Sequence, residues 1–307
     1  MLRVKSLKLK KGTKLVLAAY VILMSFMLGM WTQGYFDKKN TPKVDVGEQK
    51  ESINLEELQE KVLPSKGYVF NVKWSDLGRK MVEDGVIDKT KLAQALTGSD
   101  VLGADLEKYL DGSDQIEIEL NSSNAHFWVD VLWGLGLANK NEILDEGPMV
   151  EGGDTSNFAS TGGYTLGVLQ PMQIYSKFNY INLTSDQQSI VKEIAEGVFR
   201  PCCGNSTAFP DCNHGMAALG LIELMVSQGF SKDEVYKTVL AFNSYWFPQT
   251  YLDIAYHFAK SNRDFKQVPA SQILSKGFSS AQGYQAIKRQ IGEVSWPALQ
   301  KGGGCGA

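Results

Sequence analysis

The densest concentration of reactive side chains in this sequence is the segment PCCGNSTAFPDCNHG, residues 201–215. It holds Cys202, Cys203 and Cys212, three of the four cysteines, and His214, one of the three histidines. Cysteine thiolates and imidazole are preferred ligands of zinc and copper, and three cysteines with one histidine form a known zinc-ligand set. The spacing therefore predicts a soft-metal site for a zinc or copper ion.

The positions of these cysteines also limit how they can form disulfides. Cys202 and Cys203 are adjacent, so their Cα atoms are about 3.8 Å apart across a trans peptide. Ordinary disulfides join Cα atoms that are about 4.4 to 6.8 Å apart, so a bond between these two would be strained. Two disulfides with other pairings, and a redox or nucleophilic thiol, remain open as alternatives to the metal.

The fourth cysteine, Cys305, lies in the glycine-rich C-terminal tail, residues 302–307. Glycines make a flexible arm that could bring its thiol back to the loop. Cys305 would then replace His214 as the fourth metal ligand, or act as the resolving thiol that breaks a disulfide formed by a catalytic thiol. It could equally be a free cysteine in the tail.

An uncharged, mostly apolar run extends from residue 15 to Gln33 and is long enough for a short bilayer span. Six basic residues and no acidic residue precede it in segment 1–14, a bias that predicts a cytoplasmic N-terminus. We therefore expect a single-pass membrane anchor over 15–33, a polar linker over 34–52, and an extracytoplasmic remainder at the cell membrane. A cleaved signal peptide is the alternative for the same run.

Residues 53–307 are predicted to form one multi-helix, mainly α domain. Short segments carry apolar residues three and four positions apart, the pattern of amphipathic helices. Residues 122–137 are almost entirely apolar, as expected of a buried helix. The clearest alternating stretch is IEIEL at 116–120, which predicts a brief strand.

Two helix starts are marked by capping boxes, in which a serine and an acid or amide three residues later satisfy free backbone N–H groups reciprocally. The first prediction is SDQQ at 185–188 and the second is SKDE at 231–234.

The charge balance excludes one class of partner. All 34 acidic residues follow the apolar run, whereas six of the 31 basic residues precede it. The exported part therefore has an excess of about nine negative charges and would repel phosphate backbones. We expect no nucleic-acid partner; the expected partners are the membrane, through the N-terminal helix, and envelope proteins.

Two carboxylate–histidine pairs stand four residues apart on predicted helices, His126 with Asp130 and Asp253 with His257. At that spacing the two side chains share a helix face. We expect each histidine to hydrogen-bond its carboxylate as a structural pair, the alternative being an Asp/His quartet that serves a metal or a proton relay.

Short motifs in the middle of the chain resemble those of lysozyme-like lytic transglycosylases, which cleave peptidoglycan on a mainly α fold. The motifs are Glu151, GVLQPM at 167–172 and AFN at 241–243. The resemblance implies that Glu151 is a general acid and that Gln170 and Asn243 position the glycan. The sequence departs from the family pattern because glycines follow Glu151 where serine is usual, and Phe242 replaces a tyrosine.

The cysteine loop itself resembles one in uncharacterised bacterial membrane-anchored proteins, which implies no function. The sequence therefore predicts a membrane-anchored, extracytoplasmic metal-binding protein in which the role of the metal is open. The alternatives are a peptidoglycan-cleaving enzyme that uses Glu151, and a disulfide-stapled envelope scaffold or thiol redox protein. Whether the protein is an enzyme is left open.

Overall fold

The structure, a computed structural model, describes residues 53–112 and 116–297. The predicted cytoplasmic segment 1–14, the anchor 15–33 and the linker 34–52 lie outside these residues, as does Cys305. Among the helices of the described residues, none combines the length and the apolar character needed to cross a bilayer.

The described chain is mainly helical, which confirms the mainly α part of the predicted fold class. In chain order its helices are α1 Leu55–Val62, α2 Leu77–Glu83, α3 Lys89–Thr97, α4 Ala104–Glu107, α5 Ala125–Ala138, α6 Glu142–Glu146, α7 Pro148–Glu151, α8 Pro171–Ile174, α9 Ser185–Gly197, α10 Asn213–Ser227, α11 Lys232–Trp246, α12 Pro248–Ala259, α13 Ala270–Ile273, α14 Lys276–Ser279 and α15 Ala281–Ile291. Two short 3₁₀ turns, Thr155–Asn157 and Phe265–Gln267, complete the helical structure described here.

Two strands form a small antiparallel sheet, β1 Tyr68–Lys73 and β2 Glu117–Leu120. The second is the alternating stretch that the sequence predicts, and its partner is a strand that the sequence analysis missed. The register is broken between Phe70 and Lys73 by a bulge. The bulge locally disrupts the pairing of the two strands.

Helices α5 and α10 form the centre of the core, and nearly every residue of both is buried. Gly136 and Gly220 allow the two backbones to touch, since a Cβ at either position would lie closer than 3 Å to backbone atoms of the other helix. Gly136 of α5 contacts Gly220 of α10. Asn139, the residue after the end of α5, contacts Glu223, which also lies further along α10. The helices therefore run parallel, and the first turn of α10 lies at the same end as the first half of α5.

The predicted capping boxes are present, one of them displaced. Ser231 and Glu234 cap α11 as expected. At α9 the box is formed by Thr184 and Gln187 instead of Ser185 and Gln188, because threonine is equally able to cap and the helix begins one residue earlier.

Candidate metal centre

The cysteine loop, residues 198–212, connects α9 to α10 and is hydrogen-bonded to neighbouring segments. A backbone bridge pairs Phe199 with Ser206, and the Phe199 N–H donates to the carbonyl of Leu274 after α13. The Cys203 carbonyl accepts from the N–H of Ala281 at the start of α15, at 2.9 Å. These bonds anchor the loop to the body of the fold.

This conformation brings Cys202, Cys203 and Cys212 together. Their Sγ atoms all lie within 4.8 Å of one another, and those of Cys202 and Cys212 are 3.4 Å apart. A tetrahedral zinc ion bound at about 2.3 Å from each sulfur places the sulfurs about 3.8 Å apart. The triad could therefore hold a metal ion after small side-chain adjustments.

A buried arginine organises the triad. The guanidinium of Arg200 donates from Nε to the Sγ of Cys212 at 3.1 Å and from Nη2 to the Oδ1 of Asp211 at 2.6 Å. It also donates to the carbonyls of Asn205 and Phe209. Four of its five donors are thus used within the loop, and a fully buried cation lies beside sulfur.

The opposite wall of the Arg200 site is a glycine. A Cβ at Gly215, in the first turn of α10, would lie 2.5 Å from the guanidinium carbon of Arg200. Any larger side chain there would displace the arginine from Cys212. The CNHG sequence thus combines a sulfur ligand with room for the cation that contacts it.

The electrostatics favour a thiolate at Cys212. Hydrogen bonds from the Cys202 and Cys203 thiols, with the adjacent Arg200 guanidinium, lower the pKa of Cys212 far below its ordinary value. The Cys202 pKa is raised instead, because its thiol donates to the other two sulfurs and is buried. Cys212 also precedes the first residue of the 15-residue helix α10, whose positive end stabilises anions.

His214, the predicted fourth ligand, lies near the triad but is not among the ligand atoms that cluster with it. Its ring packs against Phe247, with centroids 4.4 Å apart, and its Nδ1 is 2.9 Å from the side-chain oxygen of Asn213. Burial lowers the His214 pKa to about 4, so the ring is neutral at pH 7, the form that binds metals. Cys305, the other candidate, is outside the described residues.

Polar atoms without hydrogen-bond partners gather around the loop. Five side-chain atoms of the described residues have no hydrogen-bond partner and no contact with solvent, and three of them belong to Thr207, Asn243 and Ser160. Thr207 is part of the loop, Asn243 donates to the carbonyl of Phe199, and the Ser160 N–H donates to the carbonyl of Asp211. Unpartnered buried groups are rare in folded proteins, so their concentration here singles out this region.

The residues of the transglycosylase resemblance have separate environments. Glu151 is exposed at the end of the four-residue helix α7, without the apolar surroundings that a protonated general acid needs. Gln170 caps α8 and is exposed. Asn243 is buried in α11, where its amide donates to the carbonyl of Phe199 and to the hydroxyl of Tyr251.

The two expected carboxylate–histidine pairs are not formed. Asp253 is fully buried and accepts hydrogen bonds from other side chains, those of Gln249, Tyr284, Lys288 and Trp296. Asp130 is buried without a hydrogen-bond partner in the described part of the chain, and His126 is exposed. The expectation from helix spacing was wrong at Asp253 because tertiary neighbours, which spacing does not reveal, supply the donors, and at Asp130 because the His126 side chain is exposed.

A polar cavity of about 260 Å³ lies elsewhere, beside Leu224 and Ser227 near the C-terminal end of α10. It is separated from Cys212 by about 18 Å of helix. Its lining contains lysine, serine, asparagine and glutamine side chains but neither cysteine nor histidine. The cavity therefore offers no cysteine or histidine ligand to a soft metal ion.

Sequence reasoning found the three cysteines but missed Arg200 and Asp211, which fix their geometry. Both flank the cysteines in the sequence, Arg200 two positions before Cys202 and Asp211 directly before Cys212. Opposite charges that bracket a cysteine motif were the signal that could have found them. Comparison of the chain with protein-family models, curated proteins and solved structures gave no match.

Proposed function

We propose that this protein is a membrane-anchored, extracytoplasmic protein that binds a soft metal ion, zinc or copper, through Cys202, Cys203 and Cys212. The observation that carries the proposal is the mutual approach of the three Sγ atoms to within 4.8 Å on a loop held by the buried Arg200. Three converging thiols are a ligand set for these ions and are not needed for packing.

The local charges support binding of a cation. An ion bound by three thiolates replaces their protons, and the resulting negative charge needs compensation in a partly buried site. Arg200 and the N-terminal end of α10 supply fixed positive charge beside Cys212. They lower the cost of deprotonation without occupying the ligand positions.

All three cysteines are only partly buried, which supports an exchangeable ion rather than one enclosed by the fold. A closed structural zinc site would have four protein ligands. For the fourth position we retain His214, neutral at pH 7, and Cys305. Trp296, near the end of the described chain, bonds Asp253, so the tail that carries Cys305 starts from a fixed point.

The experiment is an elemental analysis of the full-length chain, purified anaerobically in detergent without chelators or affinity metals. We expect about one zinc or copper ion per chain and a clear loss of that ion in Cys203→Ser. Absence of metal from the reduced wild type, after incubation with zinc or Cu(I), would refute the proposal.

The fourth ligand is assigned with two further variants and a matched control. Cys305→Ser or His214→Ala should weaken zinc binding, depending on which side chain completes the site. His257→Ala is the control, because this histidine lies on α12 and none of its contacts involves the cysteine loop. Equal zinc affinity in all three variants would mean that solvent or an external ligand takes the fourth position.

A further inference from the structure

Two sulfurs of the cysteine loop, those of Cys202 and Cys212, lie close enough to be joined after a small movement. The Sγ atoms of Cys202 and Cys212 are 3.4 Å apart, and a disulfide requires about 2.05 Å. Cys203 faces a different group, since its Sγ lies 3.7 Å from the Oδ1 of Asp211 and 3.9 Å from the carbonyl of Asn205. A bond between the adjacent cysteines would be strained.

The two partners differ in how firmly they are held. Cys212 is fixed by α10, because its carbonyl accepts from the N–H of Met216 and its Sγ accepts from Arg200. Cys202 lies in the turn that follows Arg200, where the bond from the Cys203 N–H to the Arg200 carbonyl is long, at 3.5 Å. The movement that closes the gap of about 1.4 Å therefore falls on the turn and leaves the helix in place.

We propose that Cys202 and Cys212 form a redox couple that controls occupancy of the metal site. This inference rests on the proposed function, because the disulfide would remove two of the three cysteine ligands. Cys203 and the fourth ligand would hold the ion much more weakly than the full set, so oxidation releases it and reduction restores the site. The extracytoplasmic location expected from the sequence would supply disulfide-containing reaction partners.

The chemistry is thiol–disulfide exchange with a small-molecule or protein disulfide as the oxidant. One thiolate of the pair attacks the external disulfide, forms a mixed disulfide and expels the first external thiolate. The second thiolate attacks the mixed disulfide at the protein sulfur and expels the second external thiolate. The pair loses two electrons, the external disulfide gains them, and the two released thiolates take up protons from water.

The test uses the full-length reduced chain loaded with zinc, with oxidised glutathione as the probe. Zinc release is followed with a chromophoric chelator, and the new disulfide is mapped by mass spectrometry after cleavage on the N-terminal side of Asp211. That cleavage separates Cys212 from Cys202 and Cys203, so a disulfide-linked peptide pair identifies the crosslink. The variants Cys202→Ser and Cys203→Ser then distinguish which cysteine is joined to Cys212.

We expect the crosslink in the wild type and in Cys203→Ser, and none in Cys202→Ser. The oxidised wild type should bind zinc more than about 100-fold more weakly than the reduced chain, since loss of outer contacts alone costs about 10- to 100-fold. Dithiothreitol should restore binding. The crosslink in Cys203→Ser joins Cys202 to Cys212 by itself, so this assignment stands even where Cys202→Ser folds poorly.

A crosslink between Cys203 and Cys212 in the wild type, or unchanged zinc affinity after the Cys202–Cys212 bond forms, overturns the redox control. Both results leave zinc binding by the reduced chain intact. Failure of the reduced chain to bind zinc at all overturns the proposed function and the redox control together.

Discussion

Arg200 and Asp253 are both fully buried charged side chains, but the fold uses them in different ways. Asp253 accepts hydrogen bonds from four side chains that hold α12, α15 and the segment after it together. All four donate to the carboxylate, and each of its two oxygens accepts two hydrogen bonds. Its role is to join helices.

Arg200 is also well bonded, yet one of its bonds ends on the Sγ of Cys212. That sulfur faces two others, and one buried side-chain oxygen in each of Thr207, Asn243 and Ser160 around the loop has no partner. A buried charge therefore indicates a functional site when its neighbours retain unused ligand capacity, and indicates structure when they do not.

Removal of the structural charge should have the largest effect on stability. Asp253→Ala leaves the ammonium of Lys288 and two other buried donors without their acceptor, and breaking a buried pair costs about 3 to 5 kcal/mol. We expect the free energy of unfolding to fall by about that amount in urea titrations. Zinc content, measured on the folded fraction, should remain unchanged; a loss of zinc would abolish the distinction between the two sites.

Asp130 is an intermediate case, a buried carboxyl with no partner in the described residues, and burial raises its pKa to about 7. Because the folded pKa exceeds the ordinary value of 3.8, the protonated group favours folding, and this stability is lost as the pH rises from 4 through 7. Up to about 4 kcal/mol would be lost at full ionisation.

The variant Asp130→Asn stays neutral and should remove this part of the pH dependence. The measurement is the urea midpoint of wild type and variant between pH 5 and pH 8. We expect the difference between them to grow in favour of the variant towards pH 8. A constant difference across this range would show that Asp130 does not titrate there.

A milder change at the metal centre should affect binding more than folding. Arg200→Lys keeps the positive charge but cannot reproduce the planar set of bonds to Cys212, Asp211 and the loop carbonyls. We expect zinc affinity to fall about 10- to 100-fold in competition with a chelator. Lys288→Arg, at the Asp253 cluster, is the matched control and should leave zinc affinity unchanged.

The smallest effect is expected at Glu151, which is exposed. Glu151→Gln should change the free energy of unfolding by less than about 0.5 kcal/mol and leave zinc content unchanged. The same variant tests the transglycosylase resemblance, because loss of peptidoglycan cleavage would assign a catalytic role to Glu151. Equal behaviour of wild type and variant on peptidoglycan would remove that role.

The sequence predicted the parts of the fold that depend on local patterns. The almost entirely apolar composition of residues 122–137 identified the buried helix α5, and the Ser231 box placed the start of α11. The pairing of β1 with β2 was missed because strand pairing joins residues about fifty positions apart. No local pattern carries that information.

The candidate site likewise combines features that local sequence predicts with features that long-range packing determines. Clustering of Cys202, Cys203 and Cys212 was predictable because they lie within eleven residues of one another. The contact between Arg200 and Cys212 depends on the fold of the whole loop, and the actual partners of Asp253 come from α15 and beyond. Short spacing therefore predicted which residues meet, whereas long-range packing decided their partners.

The glycine contact between α5 and α10 has a consequence for hydrogen exchange. Helices packed backbone to backbone and buried along most of their length should open only when the whole domain unfolds. The amides of α10 should therefore exchange very slowly, whereas those of the turn residues 202–204 should exchange through local opening. Cys212 is thus attached to one of the most slowly exchanging helices of the domain, and the other two cysteines are attached to a segment that can open by itself.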